Sequence, residues 1–177
     1  MKTILTKKFF HQNTLRVARA LLGTFLVRKI GKKEIAGMIT EVEAYDGFND
    51  TASHASRGKT KRNQVMFQEG GKWYVYFTYG IHWMLNVVTR EKEYPAAILI
   101  RGIIIDEIVQ TKTNGPGKLT KFLHIDKHLN GKAANKKTGL WIEDRGYHPK
   151  KILQGPRIGV GYAGTWKDTP WRFFIQY

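Results

Sequence analysis

Between Trp73 and Val88 the chain alternates aromatic and β-branched positions with polar ones, and a single glycine, Gly80, interrupts the run. That pattern predicts two strands joined by a tight turn. Counting outward from the turn, residues 74, 76, 78 and 82, 84, 86 share one face, because strand side chains alternate. The shared face carries Tyr74, Tyr76, Thr78, His82, Met84 and Asn86, and the apex carries Tyr79. A hairpin that only buries one face in a core has no need of a tyrosine at its tip.

Other elements follow from the same kind of pattern. Asn13-Thr14 ahead of Leu15–Gly23 predicts a two-turn helix, capped by Thr14 and ended by Gly23, with Leu15, Ala18, Leu21 and Leu22 facing the core. Residues 24–30 read as a strand, Gly31-Lys32-Lys33 as a turn, and a second strand runs to about Tyr45. In it Ile39, Glu41, Glu43 and Tyr45 alternate with Met38, Thr40, Val42 and Ala44, so two carboxylates and a tyrosine point the same way. A solvent-facing strand edge is the plain explanation. Residues 46–64 form a polar loop with a basic, glycine-punctuated second half suited to lying along phosphates. Loops of that length are functional or disordered as a rule. After a turn at 91–95, Ala96–Ile103 is a buried strand with one charge, Arg101. Asn114–Ile125 reads as a helix entered through Pro116 and Gly117, its first amides able to hold a phosphate. Residues 127–137 are a second basic loop. Leu140–Glu143, Arg157–Val160 and Trp171–Gln176 read as short strands. With no repeat, linker or low-complexity tract, one domain over residues 1–177 is expected, of mixed α/β (α+β) class.

Composition narrows the function. Hydrophobic residues at 42% suffice for one sizeable core. The absence of cysteine excludes disulfides, thiolate metal sites and thiol nucleophiles. No apolar run approaches the roughly 20 residues that span a bilayer, and the first residues lack an apolar signal core. A bacterial cytoplasmic protein without a membrane partner is the expectation. Thirty Lys and Arg against 14 Asp and Glu give a net charge of +16. A polyanion is the natural partner, nucleic acid being the commonest; a merely solvated basic surface is the plain alternative. Arg57, Lys59, Lys61 and Arg62 in the first basic loop, with Lys118 at the helix entry, are the candidates for contact with a DNA backbone.

Three motifs lead nowhere. Gly159-Val160-Gly161-Tyr162-Ala163-Gly164 matches a dinucleotide fingerprint, but the 13 residues after it cannot hold the helix, strand and acid that such a site needs. His124 and His128 are spaced for zinc, yet no glutamate catalyst sits between them. The only serines, Ser53 and Ser56, lack a nucleophile elbow. What remains is Glu43 with Tyr45, His54, Tyr76, Tyr79, Asn86 and Arg101. Tyrosines and a histidine can sandwich a planar base, Asn86 can discriminate base edges, and a carboxylate beside them can activate water. Each residue alone has a structural explanation; the combination with the charge is what points to a site.

The blocks Glu43-Ala44-Tyr45, Ala52-Ser53-His54, Arg62–Phe67, Tyr74–Gly80, Leu99-Ile100-Arg101, Gly115–Leu119 and Arg157–Gly164 resemble, in order and over nearly the whole chain, the alkyladenine (3-methyladenine) DNA glycosylase family, in its bacterial form. The resemblance implies a single mixed α/β domain around a curved antiparallel sheet, with a protruding β-hairpin. It implies that Glu43 activates the water attacking the sugar C1′ and that Arg101 helps hold water and backbone beside it. Tyr79 would wedge into the minor groove in place of an extruded nucleotide. Tyr45, His54 and Tyr76 would enclose the extruded base, and Asn86 would clash with the 2-amino group of guanine. The substrate would be duplex DNA carrying alkylated or deaminated purines, with no cofactor and no metal, acted on by a monomer. No lysine stands out as a Schiff-base nucleophile, so a monofunctional enzyme is expected. Ile81 and His82 stand where the mammalian members have Met and Tyr, and the stretch between Asp106 and Asn114 is shorter than theirs. The rival from another class is a non-catalytic basic nucleic-acid-binding protein, which does not require an acid at position 43.

Overall fold

The fold is built on one long strand. In the computed structural model, which describes residues 2–105 and 113–176, β1 (Thr3–Ile4), α1 (Lys7–Phe10), α2 (Thr14–Leu21) and β2 (Phe25–Ile30) precede the 14-residue β3 (Lys33–Asp46). β4 (Trp73–Thr78), β5 (His82–Val88), β6 (Ala96–Ile104), α3 (Pro116–Phe122), β7 (Leu140–Asp144), β8 (Ile152–Gly155) and β9 (Arg172–Ile175) follow. All pairings are antiparallel, in the order β1-β7-β2-β3-β6-β5-β4, with β9 joining β3 at Glu41–Glu43 and β8 joining β9. The α+β class with an antiparallel sheet is as expected. The shortened stretch after Asp106 lies largely outside the described residues.

Local chemistry accounts for the element ends. Asn13, not Thr14, caps α2: its side chain accepts from the Leu15 and Arg16 amides, 3.1 and 3.2 Å away. Thr14 is one residue too far along and is buried, donating instead to Asp46 at 2.5 Å. Val17, Ala18, Leu21 and Leu22 are buried in the core, while Leu15 is only partly covered. α3 is shorter than the 114–125 span predicted, since Pro116 opens it and His124 already has a φ of +50°. The same early ending takes His124 and His128 off any common helix face, and His128 contacts Asp126 instead. Arg157–Val160 is not a strand. β8 lies just before it, and Arg157 folds inward as a buried residue.

The expected alternation along β3 fails at one point, and the failure shapes the site. Ile39 pairs with Ile103, Glu41 with Gly102 and Val42 with Ile100, so Thr40 is an extra residue on β3 and Arg101 an extra residue on β6. Core-facing positions are accordingly 44, 42 and then 39 on one strand, and 98, 100 and then 103 on the other. Ile39 therefore sides with Val42 and Ala44, not with the carboxylates. Paired bulges of this kind re-aim side chains, and they recur next to active sites. Burying side chains such as Ile39, Ile98 and Ile100 contributes about 1.5–3 kcal/mol each, which holds the bulged pair in register.

Candidate active site

The aromatic ribbon forms as predicted. Tyr74 pairs with Asn86, Tyr76 with Met84 and Thr78 with His82. Tyr79 and Gly80 turn the chain with φ of +52° and +69°, and the Ile81 amide donates to the Thr78 carbonyl at 3.2 Å. Tyr79 is 81% exposed at the apex. The ribbon's shared face supplies one wall of a cavity of about 400 Å³, through Tyr74, Tyr76, Thr78, Met84 and Asn86. Tyr45, His54, Leu99 and Arg101 complete it with Ile158–Val160 and Tyr162. His82 departs from this wall; it packs towards α3, where a Cβ on Gly117 would lie 2.7 Å from its ring.

The cavity gathers Tyr45, His54, Tyr76, Tyr79, Asn86 and Arg101, all expected from the sequence. His54 meets Tyr76 edge to face with ring centroids 4.6 Å apart, and its Nδ1 lies 3.0 Å from the Tyr74 hydroxyl. Asn86 donates its amide to the Tyr74 carbonyl at 3.0 Å, which fixes its position in the wall. Burial raises the hydroxyl pKa of Tyr45, Tyr74 and Tyr76, so all three stay neutral. Burial and the nearby Arg62 cation push His54 below its usual range, favouring the neutral imidazole.

Glu43 stands one layer behind this wall. It is fully buried on β3, far from the exposed strand edge that is the plain reading of its position. Its Oε1 accepts from the Ile158 amide at 2.7 Å and lies 3.4 Å from Arg101 Nη1, and its Oε2 accepts from the Tyr45 hydroxyl at 2.9 Å. Burial raises its pKa, and Arg101, the Ile158 amide and Tyr45 oppose the rise. A carboxylate in this balance is a stronger base than one in water.

The expected backbone-binding cations are less uniform. Arg62 reaches the ribbon, donating to the Phe77 carbonyl at 3.0 Å with its guanidinium 5.7 Å from the Tyr76 ring centre. Lys59 pairs with Glu93 at 3.1 Å. Arg57, Lys61 and Lys118 are exposed.

Residues 8–177 match the family model described as methylpurine-DNA glycosylase (MPG). The chain belongs to the methylpurine-DNA glycosylase family. Relatives provisionally named 3-methyladenine DNA glycosylases are similar over almost their full length. The one from Legionella pneumophila (strain Lens) is 41% identical, over 97% of this chain and 94% of its own. That from Methanocella arvoryzae is 44% identical, over 97% and 92%, and that from Borrelia garinii subsp. bavariensis is 44% identical, over 95% and 94%. As a DNA glycosylase the protein is a hydrolase acting on N-glycosyl bonds, with DNA as its substrate.

Several parts of the candidate site escape a reading by sequence pattern. Asp50 and Arg157 form a bidentate pair at 2.6 and 2.8 Å with both side chains fully buried. Thr51 donates to the Ala163 carbonyl at 2.6 Å and Tyr162 to the Ala52 carbonyl at 3.1 Å. These bonds clasp the first basic loop to residues 157–163 and so place the Ile158 amide on Glu43. The sequence marks them only by an acid in the polar first half of the 46–64 loop and a tyrosine inside a glycine-rich run.

Proposed function

We propose that this family member is a monofunctional DNA repair glycosylase, one domain spanning residues 1–177. It would extrude purines of the 3-methyladenine and 7-methylguanine type from duplex DNA and hydrolyse their N-glycosyl bond. The observation carrying this reading is a buried carboxylate of raised pKa directly behind an aromatic cavity, with an exposed tyrosine at the cavity's mouth.

Extruding a base costs a few kcal/mol, least for damaged or mispaired ones. Tyr79 fills the vacated stack, while stacking on the tyrosines returns roughly 1–3 kcal/mol and tolerates varied alkylated purines. N3- or N7-alkylation makes the purine cationic, which improves both its contact with tyrosine faces and its departure as a neutral base. Glu43 takes a proton from water as the oxygen bonds to C1′ and the glycosyl electron pair leaves with the purine. Because Glu43 is covered by Tyr45, Arg101 and Ile158, substrate binding has to shift one of these to admit that water. Hypoxanthine, uncharged in the nucleotide, has to leave as an anion unless it is first protonated at N7, and is the poorer substrate in this scheme. The enzyme would act as a monomer on damaged DNA in the cytoplasm, with Arg57, Lys59, Lys61, Arg62 and Lys118 near the phosphates.

Base release from methylated duplex by the wild type and by Glu43→Gln tests the reading. Release by the wild type and none by the variant is expected. Equal release by both removes Glu43 from the chemistry, and wild-type binding without release favours the non-catalytic binder.

A further inference from the structure

The two residues that the paired bulges set apart, Thr40 on β3 and Arg101 on β6, flank a third group whose role in the site is unassigned: Glu41. Its Oε1 accepts from Arg101 Nε at 3.0 Å and from Arg172 Nη1 at 3.1 Å. Arg101 in turn presents Nη1 to Glu43 at 3.4 Å. The four side chains therefore form a chain of alternating charge, Arg172–Glu41–Arg101–Glu43, that crosses β9, β3 and β6. Arg172 is the register partner of Glu43, yet its guanidinium reaches diagonally to Glu41 instead. On the far side of Glu41 is a small polar cavity of about 120 Å³, bounded by Thr40, Asn114 and Arg172. Glu41 thus lines this small cavity and contributes nothing to the walls of the base-sized one.

We infer that Glu41 is a positioning residue for the hydrolytic step: by holding Arg101 through its Nε, it keeps that cation from closing a two-point pair on Glu43, and so preserves Glu43 as a base. The geometry supports this directly. Arg101 offers a planar fork that fits a carboxylate bidentately, but its Nε edge is already taken by Glu41, and only Nη1 is turned to Glu43, at the longer distance of 3.4 Å. Without Glu41 the fork is free to rotate onto Glu43, and an opposing charge made closer weakens a carboxylate base. The like charge of Glu41, two residues along the same strand, acts in the same sense, raising the Glu43 pKa.

The other groups facing Glu43 are accounted for. Tyr45 on β3 donates to it, the Ile158 amide donates from the loop after β8, and Tyr76 on β4 lies close enough to be coupled to it. Arg157 lies over the far face of Tyr45, its ring centre 4.9 Å away, and is already held by Asp50. None of these holds Arg101, so among the described residues the side-chain hold on that cation, apart from Glu43 itself, is Glu41.

The inference depends on Glu43 being the base, and the experiment separates the two. Single-turnover release of 7-methylguanine from duplex DNA is measured against pH for the wild type, Glu41→Gln and Arg172→Gln, with Glu43→Gln as the reference. Glu41→Gln should move the acid limb of the rate profile down by about one pH unit and lower the plateau several-fold. Arg172→Gln leaves Glu41 wholly to Arg101 and should move the limb up. Opposite shifts are beyond a merely structural role, which slows both variants without moving the limb. An unmoved limb in both variants, or shifts of the same sign, overturns the inference. If Glu41→Gln is too unstable to assay, an unmoved or lowered limb in Arg172→Gln alone overturns it. Release by Glu43→Gln at the wild-type rate overturns the base assignment itself.

Discussion

The buried Asp50–Arg157 pair allows the sharpest test of how the loops are held. Asp50→Asn keeps the shape of the side chain and removes its charge. Arg157 then remains a buried cation with only neutral acceptors, the carbonyls of Ala44 at 2.9 Å and Trp166 at 3.4 Å and the one amide oxygen of the Asn, beside the rings of Tyr45 and Trp171. Removing one member of a buried pair costs about 3–5 kcal/mol. At about 2–4 °C per kcal/mol for a chain of this length, the melting temperature should fall by about 6–20 °C. Activity should suffer separately, because Ile158, which follows Arg157, donates to Glu43 at 2.7 Å. Single-turnover base release at 20 °C, well below the expected melt, reads that second effect. The double variant Asp50→Asn, Arg157→Met should recover part of the lost stability, since it removes the unpaired buried cation, but not the lost rate. A melting shift below about 2 °C in Asp50→Asn, equivalent to less than 1 kcal/mol, would refute the reasoning.

Glu43 carries a stability consequence of its own. Its folded pKa is raised, so its contribution to stability is present below the unfolded carboxylate range and is lost as pH rises through the folded value. Glu43→Gln should therefore melt relatively higher, compared with the wild type, at pH 7.5 than at pH 4; the reverse order in paired melts would contradict the raised value. Tyr79→Ala should weaken binding to a lesion duplex more than to a duplex that already holds an extrahelical base, and an equal loss on both denies it a wedge role. Asn86→Ser should release undamaged guanine at a detectable rate, because it removes a side chain that its own bond to Tyr74 holds rigid; unchanged discrimination by mass spectrometry of released bases would exclude Asn86 as the gate.

Pattern alone made the ribbon legible, since period-two alternation over 16 residues specifies both faces and Gly80 fixes the turn between them. The strand pair β2–β3 was equally readable. The bulges at Thr40 and Arg101 were not, because an extra residue leaves composition untouched and only shifts phase; alternation read through it assigns Ile39 to the wrong face. The helix cap went to Asn13 over Thr14 by one residue, a difference that rests on backbone geometry and on the tertiary bond of Thr14 to Asp46. Residue type and resemblance point to the cavity residues, but not to the depth of Glu43 behind them. A backbone amide from Ile158 has no side-chain signature, and a long-range ion pair such as Asp50–Arg157 joins residues 107 positions apart.

The apex of the ribbon has an engineering consequence. Tyr79 sits at a φ of +52°, a left-handed conformation that costs a residue with a Cβ about 1–2 kcal/mol and glycine almost nothing. Any procedure that ranks substitutions by folding alone will therefore nominate position 79 early, and offer glycine or asparagine. The hairpin would gain stability from the change and lose its only large ring at the tip. In a programme to harden this protein for use as a reagent, that position has to be withheld from optimisation, and the stability recovered elsewhere.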